Sequence, residues 1–202
     1  MAKEQIRFTG SGGQGVIMGT IIIAEAAFLD GRKVVQSQSY GPEARGGMCK
    51  AETIVSDSEI FYTKVEKPDL LLSLTQKSFD KYCKRLSRRA IIVIDDSITV
   101  PPRIAAQHEV LSLPILRSAK DVIKNKMSAN IISCGAVNEA LHLASVQSLK
   151  EAVLNHVPPA SADSNVVAME LGARLVREAR GEASDEASEE ARKQAREDAA
   201  EA

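Results

Sequence analysis

Four glycines fall within six residues in Phe8-Thr9-Gly10-Ser11-Gly12-Gly13-Gln14-Gly15. Gly10, Gly12 and Gly15 stand in the spacing G-x-G-x-x-G. A short apolar run, Ile6 to Phe8, precedes them, and the aliphatic stretch Val16 to Leu29 follows. Strand, tight turn and helix is the order this pattern predicts. A helix starting at Gly13 or Gln14 would aim unpaired N–H groups and a partial positive charge over the turn, which suits an anion or a phosphate. A dinucleotide site also needs a carboxylate after the second strand, to bind a ribose hydroxyl. That strand, from Lys33, ends Gln36-Ser37-Gln38-Ser39, with no acid there. NAD is therefore disfavoured, and ligand contact stands beside a purely structural use of the turn.

A second cluster is Ser39-Tyr40-Gly41-Pro42-Glu43-Ala44-Arg45-Gly46-Gly47. Its glycines and proline forbid a regular element, while it holds a phenol, a carboxylate and a guanidinium. It follows the carboxyl end of a strand, where open α/β sheets bind ligands. Tyr40, Glu43, Arg45 and Gly46 thus join Gly10, Gly12, Gly13, Gln14 and Gly15 as candidate binding residues. A solvated turn is the alternative.

Other reactive residues carry less. Cys49, Cys83 and Cys134 form no C-x-x-C pair, so their spacing is not that of a zinc or iron–sulfur ligand set. Asp95-Asp96, after an apolar run, resembles a metal or ribose ligand pair, but an Asp there more often caps a turn. His108 has no Ser or Cys arranged beside it as a nucleophile. The residues point to no catalytic group and no metal site.

The elements that must position these residues follow from periodicity. Val16 to Leu29 is apolar nearly all round, as a buried helix is, and Asp30-Gly31 ends it. Lys33 to Gln38 is the second strand and closes a β-α-β unit. Met48 to Ser56 alternates and comes too soon for a helical crossover, so it is antiparallel and the sheet is mixed. Leu70 to Leu74 and Ala90 to Asp96 read as central strands, and His108 to Pro114 as a shorter one. Helices are predicted over Gln76–Ser87, Ile115–Asn125, Asn130–Leu143, Leu149–Asn155 and Ser161–Arg180. The fold class is α/β, a three-layer Rossmann-like sandwich with a mostly parallel, mixed sheet.

The 202 residues suit one domain, 1–180, and an acidic, Ala/Glu-rich tail, 181–202, helical by propensity or disordered. The tail holds eight acids and three bases, so the body carries +4 against the chain's net −1. That balance implies neither nucleic acid nor a membrane surface. The longest apolar stretch is about a third too short to span a bilayer. An odd number of scattered cysteines points to a reducing cytoplasm.

GSGGQGV, SYGPEARGG and KPDLLLSL, in that order, resemble the gamma subunit of 2-oxoacid:ferredoxin oxidoreductases, and SYGPEARGG most resembles the 2-oxoglutarate-specific form. The resemblance covers Ile6 to Arg180. It implies the domain III fold of pyruvate:ferredoxin oxidoreductase. It also implies membership of a complex that decarboxylates a 2-oxoacid, passes the acyl group to coenzyme A and reduces ferredoxin. Thiamine diphosphate, Mg2+ and an iron–sulfur cluster would lie in alpha, beta and ferredoxin-like delta subunits, with none of these cofactors held by this chain alone. The two motif segments would be its turn and loop beside the active-site region. The alternatives are a pyruvate, branched-chain or indolepyruvate paralogue, a purely structural assembly subunit, or a free-standing Rossmann-type enzyme.

Overall fold

Strand β1 (Lys3–Ser11) is the strand on which the rest of the sheet is laid out. In the computed structural model, which describes residues 3–40 and 47–181, it pairs on both sides. One neighbour is β3 (Met48–Ser56), antiparallel, from Lys3↔Ser56 to Ser11↔Met48. The other is β4 (Leu70–Ser73), parallel. Beyond β3 lies β2 (Lys33–Tyr40), antiparallel to it. Beyond β4 lie β5 (Ile91–Asp95) and β6 (Glu109–Leu113), both parallel. The order β2-β3-β1-β4-β5-β6 is a mixed six-stranded sheet in which β3 alone runs against the rest, as its alternating sequence and short connection predict.

The β1–helix–β2 unit differs from the simple reading. Helix α1 (Val16–Leu29) carries the chain past one strand position, and β3 fills the gap between β1 and β2. Met48–Ser56 is the better central strand of the two: its last six residues are all buried. Lys33–Tyr40 is half-buried or exposed where its side chains are described, and stays at the edge.

Side chains alternate along each strand, so the sheet has two apolar faces. Ile6, Phe8, Leu70, Leu72, Val93 and Leu111 point to one face. Covering it are α1, α5 (Ala129–Leu141), α6 (Val146–His156) and α7 (Ala162–Arg180). Leu71, Ile92 and Ile94 point to the other, against Phe79 of α2 (Gln76–Tyr82) and Ile104 of α3 (Pro102–Ala105). This is the expected three-layer arrangement, with one thick helical layer and one thin one.

Several predicted helices are shorter than their periodicity suggests. Helix α2 stops at Tyr82, and α4 (Ile115–Asp121) stops four residues short of Asn125. The chain then makes a 3-10 turn at Lys126–Ser128 before α5. Helices α5 and α7 pack closest: a Cβ on Gly135 would overlap the Met169 carbonyl, and one on Gly172 that of Ile132. Helix α7 ends as predicted, with Gly181 at φ 78°. The expected tail, apart from Gly181, lies outside the described residues, as do Gly41 to Gly46.

Candidate functional site: the carboxyl edge of the sheet

The strand order turns around at β1 and β4. The connection leaving β1 runs over one face through α1, and that leaving β4 runs over the other through α2. A crevice outside the carboxyl ends of two such strands is where open α/β sheets hold ligands. Here that place is bounded by Ser11–Gly15 and Leu74–Gln76. The Leu74 N–H donates to the Thr9 carbonyl at 3.0 Å. Beneath it the Thr9 and Ser73 hydroxyls lie 2.7 Å apart, both side chains buried.

The glycine segment divides into three uses. Gly10 is part of β1, buried and paired with Cys49, and not in the turn itself. A side chain there would strike Gln14 and Val16, so Gly10 lets the turn fold back onto the strand. Gly12 and Gly13 are exposed at the turn, with Gly13 at φ 93° and open space where a Cβ would stand. Gln14 closes the turn, its Oε1 accepting from the Ser11 N–H at 2.7 Å. Gly15, at φ 69°, is the N-cap of α1, which starts at Val16 and not at Gly13 or Gln14. No side chain caps the helix and its first turn holds no acid. Its first N–H groups are therefore left to an acceptor from outside.

The second motif meets the first. The Gly12 N–H donates to the Gly47 carbonyl at 3.0 Å. Tyr40, at the end of β2, pairs with Cys49 one strand away from Gly10. The segments that the sequence marks separately are thus joined along one edge. Glu43, Arg45 and Gly46 lie outside the described residues.

One contributor, Asn130, has no local signature in sequence. A Cβ on Gly15 would come within 2.7 Å of the Asn130 amide nitrogen, so the start of α5 is packed against the start of α1. Ser128, at the N-terminus of α5, keeps a buried hydroxyl with no partner. Asn130 lies over 110 residues from the glycine turn, and only packing brings it against Gly15. Below the edge, buried Arg7 pairs with Glu52 at 2.6 Å, and Lys50 reaches the other Glu52 oxygen at 2.8 Å.

The remaining candidates resolve simply. Asp95 is a capping residue: its carboxylate accepts from the Ser97 N–H at 3.2 Å and from the Leu116 N–H, in α4, at 2.8 Å. Asp96 pairs with Arg117. The three thiols sit on separate elements, in β3, after α2 and within α5, and do not fit an iron–sulfur cluster. Burial raises the pKa of all three, that of Cys134 most. Among the described residues no helix is long and apolar enough to cross a membrane.

Similarity to known proteins bears on the same residues. The family model for pyruvate ferredoxin/flavodoxin oxidoreductase matches residues 5–175. The 2-oxoglutarate synthase subunit KorC of Methanothermobacter thermautotrophicus is 37% identical over 182 residues, spanning 87% of this chain and 96% of that one. The crystal structure of a keto/oxoacid ferredoxin oxidoreductase gamma subunit from Geobacter sulfurreducens superposes with a TM-score of 0.80 at 35% identity. It covers 89% of this chain and 99% of its own. A 2-oxoglutarate:ferredoxin oxidoreductase from Magnetococcus marinus shares the fold at a TM-score of 0.80 and 20% identity, over 88% of this chain and 31% of that longer one. The chain belongs to the pyruvate ferredoxin/flavodoxin oxidoreductase family, as a subunit of the gamma type.

Proposed function

We propose that the chain is the gamma subunit of a 2-oxoglutarate:ferredoxin oxidoreductase, an enzyme of the EC 1.2.7 class that works only as a complex. The reaction splits the carboxylate of 2-oxoglutarate off as carbon dioxide. The succinyl group passes to the sulfur of coenzyme A, and the electron pair left behind goes to ferredoxin. Thiamine diphosphate with Mg2+ supplies the carbon chemistry and an iron–sulfur cluster the electron path, both in alpha, beta and delta-type partner subunits in the cytoplasm.

One observation carries the role of this chain: the Gly12–Gly47 hydrogen bond ties the glycine turn to the end of the second motif, just before β3, along a single edge. That edge has backbone N–H groups, an uncapped helix start at Gly15 and no acid in the first turn. It suits an anionic group, and the phosphates of coenzyme A are the anions this reaction brings. Gly13 and Gly15 would offer backbone N–H groups, Gly12 and Gln14 would hold the turn through their bonds to the Gly47 and Ser11 carbonyls, and Tyr40, Glu43, Arg45 and Gly46 would complete the site. Gly10 acts from underneath, by making room. Gln14 is turned to its own backbone, so its part is to hold the turn's shape.

The test is the assembled complex. Coexpression with thiamine and ferredoxin-type subunits should give ferredoxin reduction that requires both 2-oxoglutarate and coenzyme A, and the isolated chain should give none. A panel of 2-oxoacids distinguishes this reading from a pyruvate, branched-chain or indolepyruvate paralogue. Arg45→Ala should raise KM for coenzyme A with assembly intact. An unchanged KM removes Arg45 from the site, and full activity without this chain overturns the proposal.

A further inference from the structure

The opposite edge of the sheet carries a second feature, unrelated to the reading above. Between the C-terminal end of α2 and helix α3 lies a groove of about 650 Å3, lined by Lys84, Arg88, Arg103, His108, Cys83 and neighbours. It holds three cationic side chains and no acid. Lys84, Arg88 and Arg103 are exposed, and none pairs with another described residue. His108 adds a buried ring nitrogen, Nδ1, without a partner. Three unneutralised cations around one cavity repel each other and favour any polyanion that can reach them.

The chain holds such a polyanion close by. Helix α7 ends at this edge: Arg180 donates through Nε to Glu109 at 2.8 Å, and Glu109 follows His108 directly. His108 has the register of Val110 and lies on the α2–α3 face, whereas Glu109 has that of Leu111 and lies on the α5–α7 face. The described chain ends at Gly181, next to Arg180, whose side chain reaches the first residue of β6, adjacent to His108 of the groove. Five acids and no base occupy residues 182–191: Glu182, Asp185, Glu186, Glu189 and Glu190. A chain extends at about 3.3 Å per residue, so a handful of residues rounds the edge of a sheet.

We infer that the acidic segment Glu182–Glu190 docks in the basic groove formed by Lys84, Arg88, Arg103 and His108 of the same chain. Length, exit point and charge all fit this occupant. Its hold weakens with salt because the charges are exposed.

Carbodiimide cross-linking of the full chain at low salt tests this, since it joins carboxylates to lysines in direct contact. Mass spectrometry should find Lys84 linked to Glu182–Glu190, with Lys33 and Lys126, on other elements, unlinked to them. The link should fall about tenfold in the Arg88→Glu/Arg103→Glu variant, and similarly in about 0.5 M salt. Converting the five acids to amides is the reciprocal variant and should abolish it without touching the folded body. Mixing isotope-labelled and unlabelled chains identifies the donor. Links within one chain that respond to both changes support the inference. Links spread evenly over the surface lysines, links between chains, or a Lys84 link indifferent to Arg88 and Arg103 overturn it.

Discussion

At the scale of single residues, Gly15 is the most constrained position of the glycine turn. Its φ of 69° disfavours any side chain, and the Asn130 amide fills the space a Cβ would need. Gly13 shares the positive φ but faces open space. Gly15→Ala should therefore cost about 2 kcal/mol, against about 1 kcal/mol for Gly13→Ala, as read by urea unfolding. Glu25 is the acid within the otherwise aliphatic α1. Burial alone would push its pKa up, but hydrogen bonds from Asn155 at 2.7 Å and His156 at 2.6 Å, with the imidazole's charge, outweigh burial and lower it. A carboxylate lowered in this way binds its proton less readily folded than unfolded. Its stabilisation is complete above the ordinary value of 4.5 and is lost as pH falls through the lower, folded value. The stability difference between the wild type and Glu25→Gln should thus shrink as pH falls below about 4.5 in a pH series of unfolding curves.

At the scale of elements, two contacts decide how the layers close. The α5–α7 crossing depends on Gly135 and Gly172, each set against a carbonyl of the other helix. Gly135→Ala should cost about 3 kcal/mol and loosen α7, seen as faster amide exchange over Ala162–Arg180. The β1–β3 pair carries the buried ion pair Arg7–Glu52, whose other polar partners are the Val65 carbonyl and Lys50. Glu52→Ala would leave the guanidinium without its counter-ion and should cost about 3 kcal/mol. Replacing both residues by apolar ones, Arg7→Met with Glu52→Leu, should cost clearly less, because no buried charge is left unmatched. Thermal unfolding of the single and double variants checks the difference.

At the scale of the whole molecule, the two sheet edges have different charge characters. The carboxyl edge of β1 and β4 offers backbone N–H groups and hydroxyls beside an uncapped helix. The amino edge of β5 and β6 offers unpaired cations. A subunit that borrows its chemistry from neighbours should lose activity through the first edge by failing to bind or assemble, not by losing a reacting group. Gly13→Val, which strains the turn at a φ of 93°, should reduce turnover of the reconstituted complex at least as much as any substitution at Cys49, Cys83 or Cys134. Steady-state assays at matched assembly, verified by gel filtration, measure this.

The sequence alone determined the elements whose signals are local. Four glycines in six residues required a turn, an aliphatic run of fourteen required a buried helix, and Leu70–Leu74 required a central strand. The short connection before Met48 was enough to make the sheet mixed, and Asp95 was legible as a cap. Helix ends were less legible, because α2 and α4 stop where tertiary packing stops supporting them and not where propensity ends. Only the tertiary structure decided that β3 slots between β1 and β2, since strand order depends on which strand buries two faces. It also brought Asn130 to Gly15, Gly47 to Gly12 and Arg180 to Glu109. Those contacts join residues distant in the chain, and burial and backbone hydrogen bonding choose among such pairings only once every layer is in place.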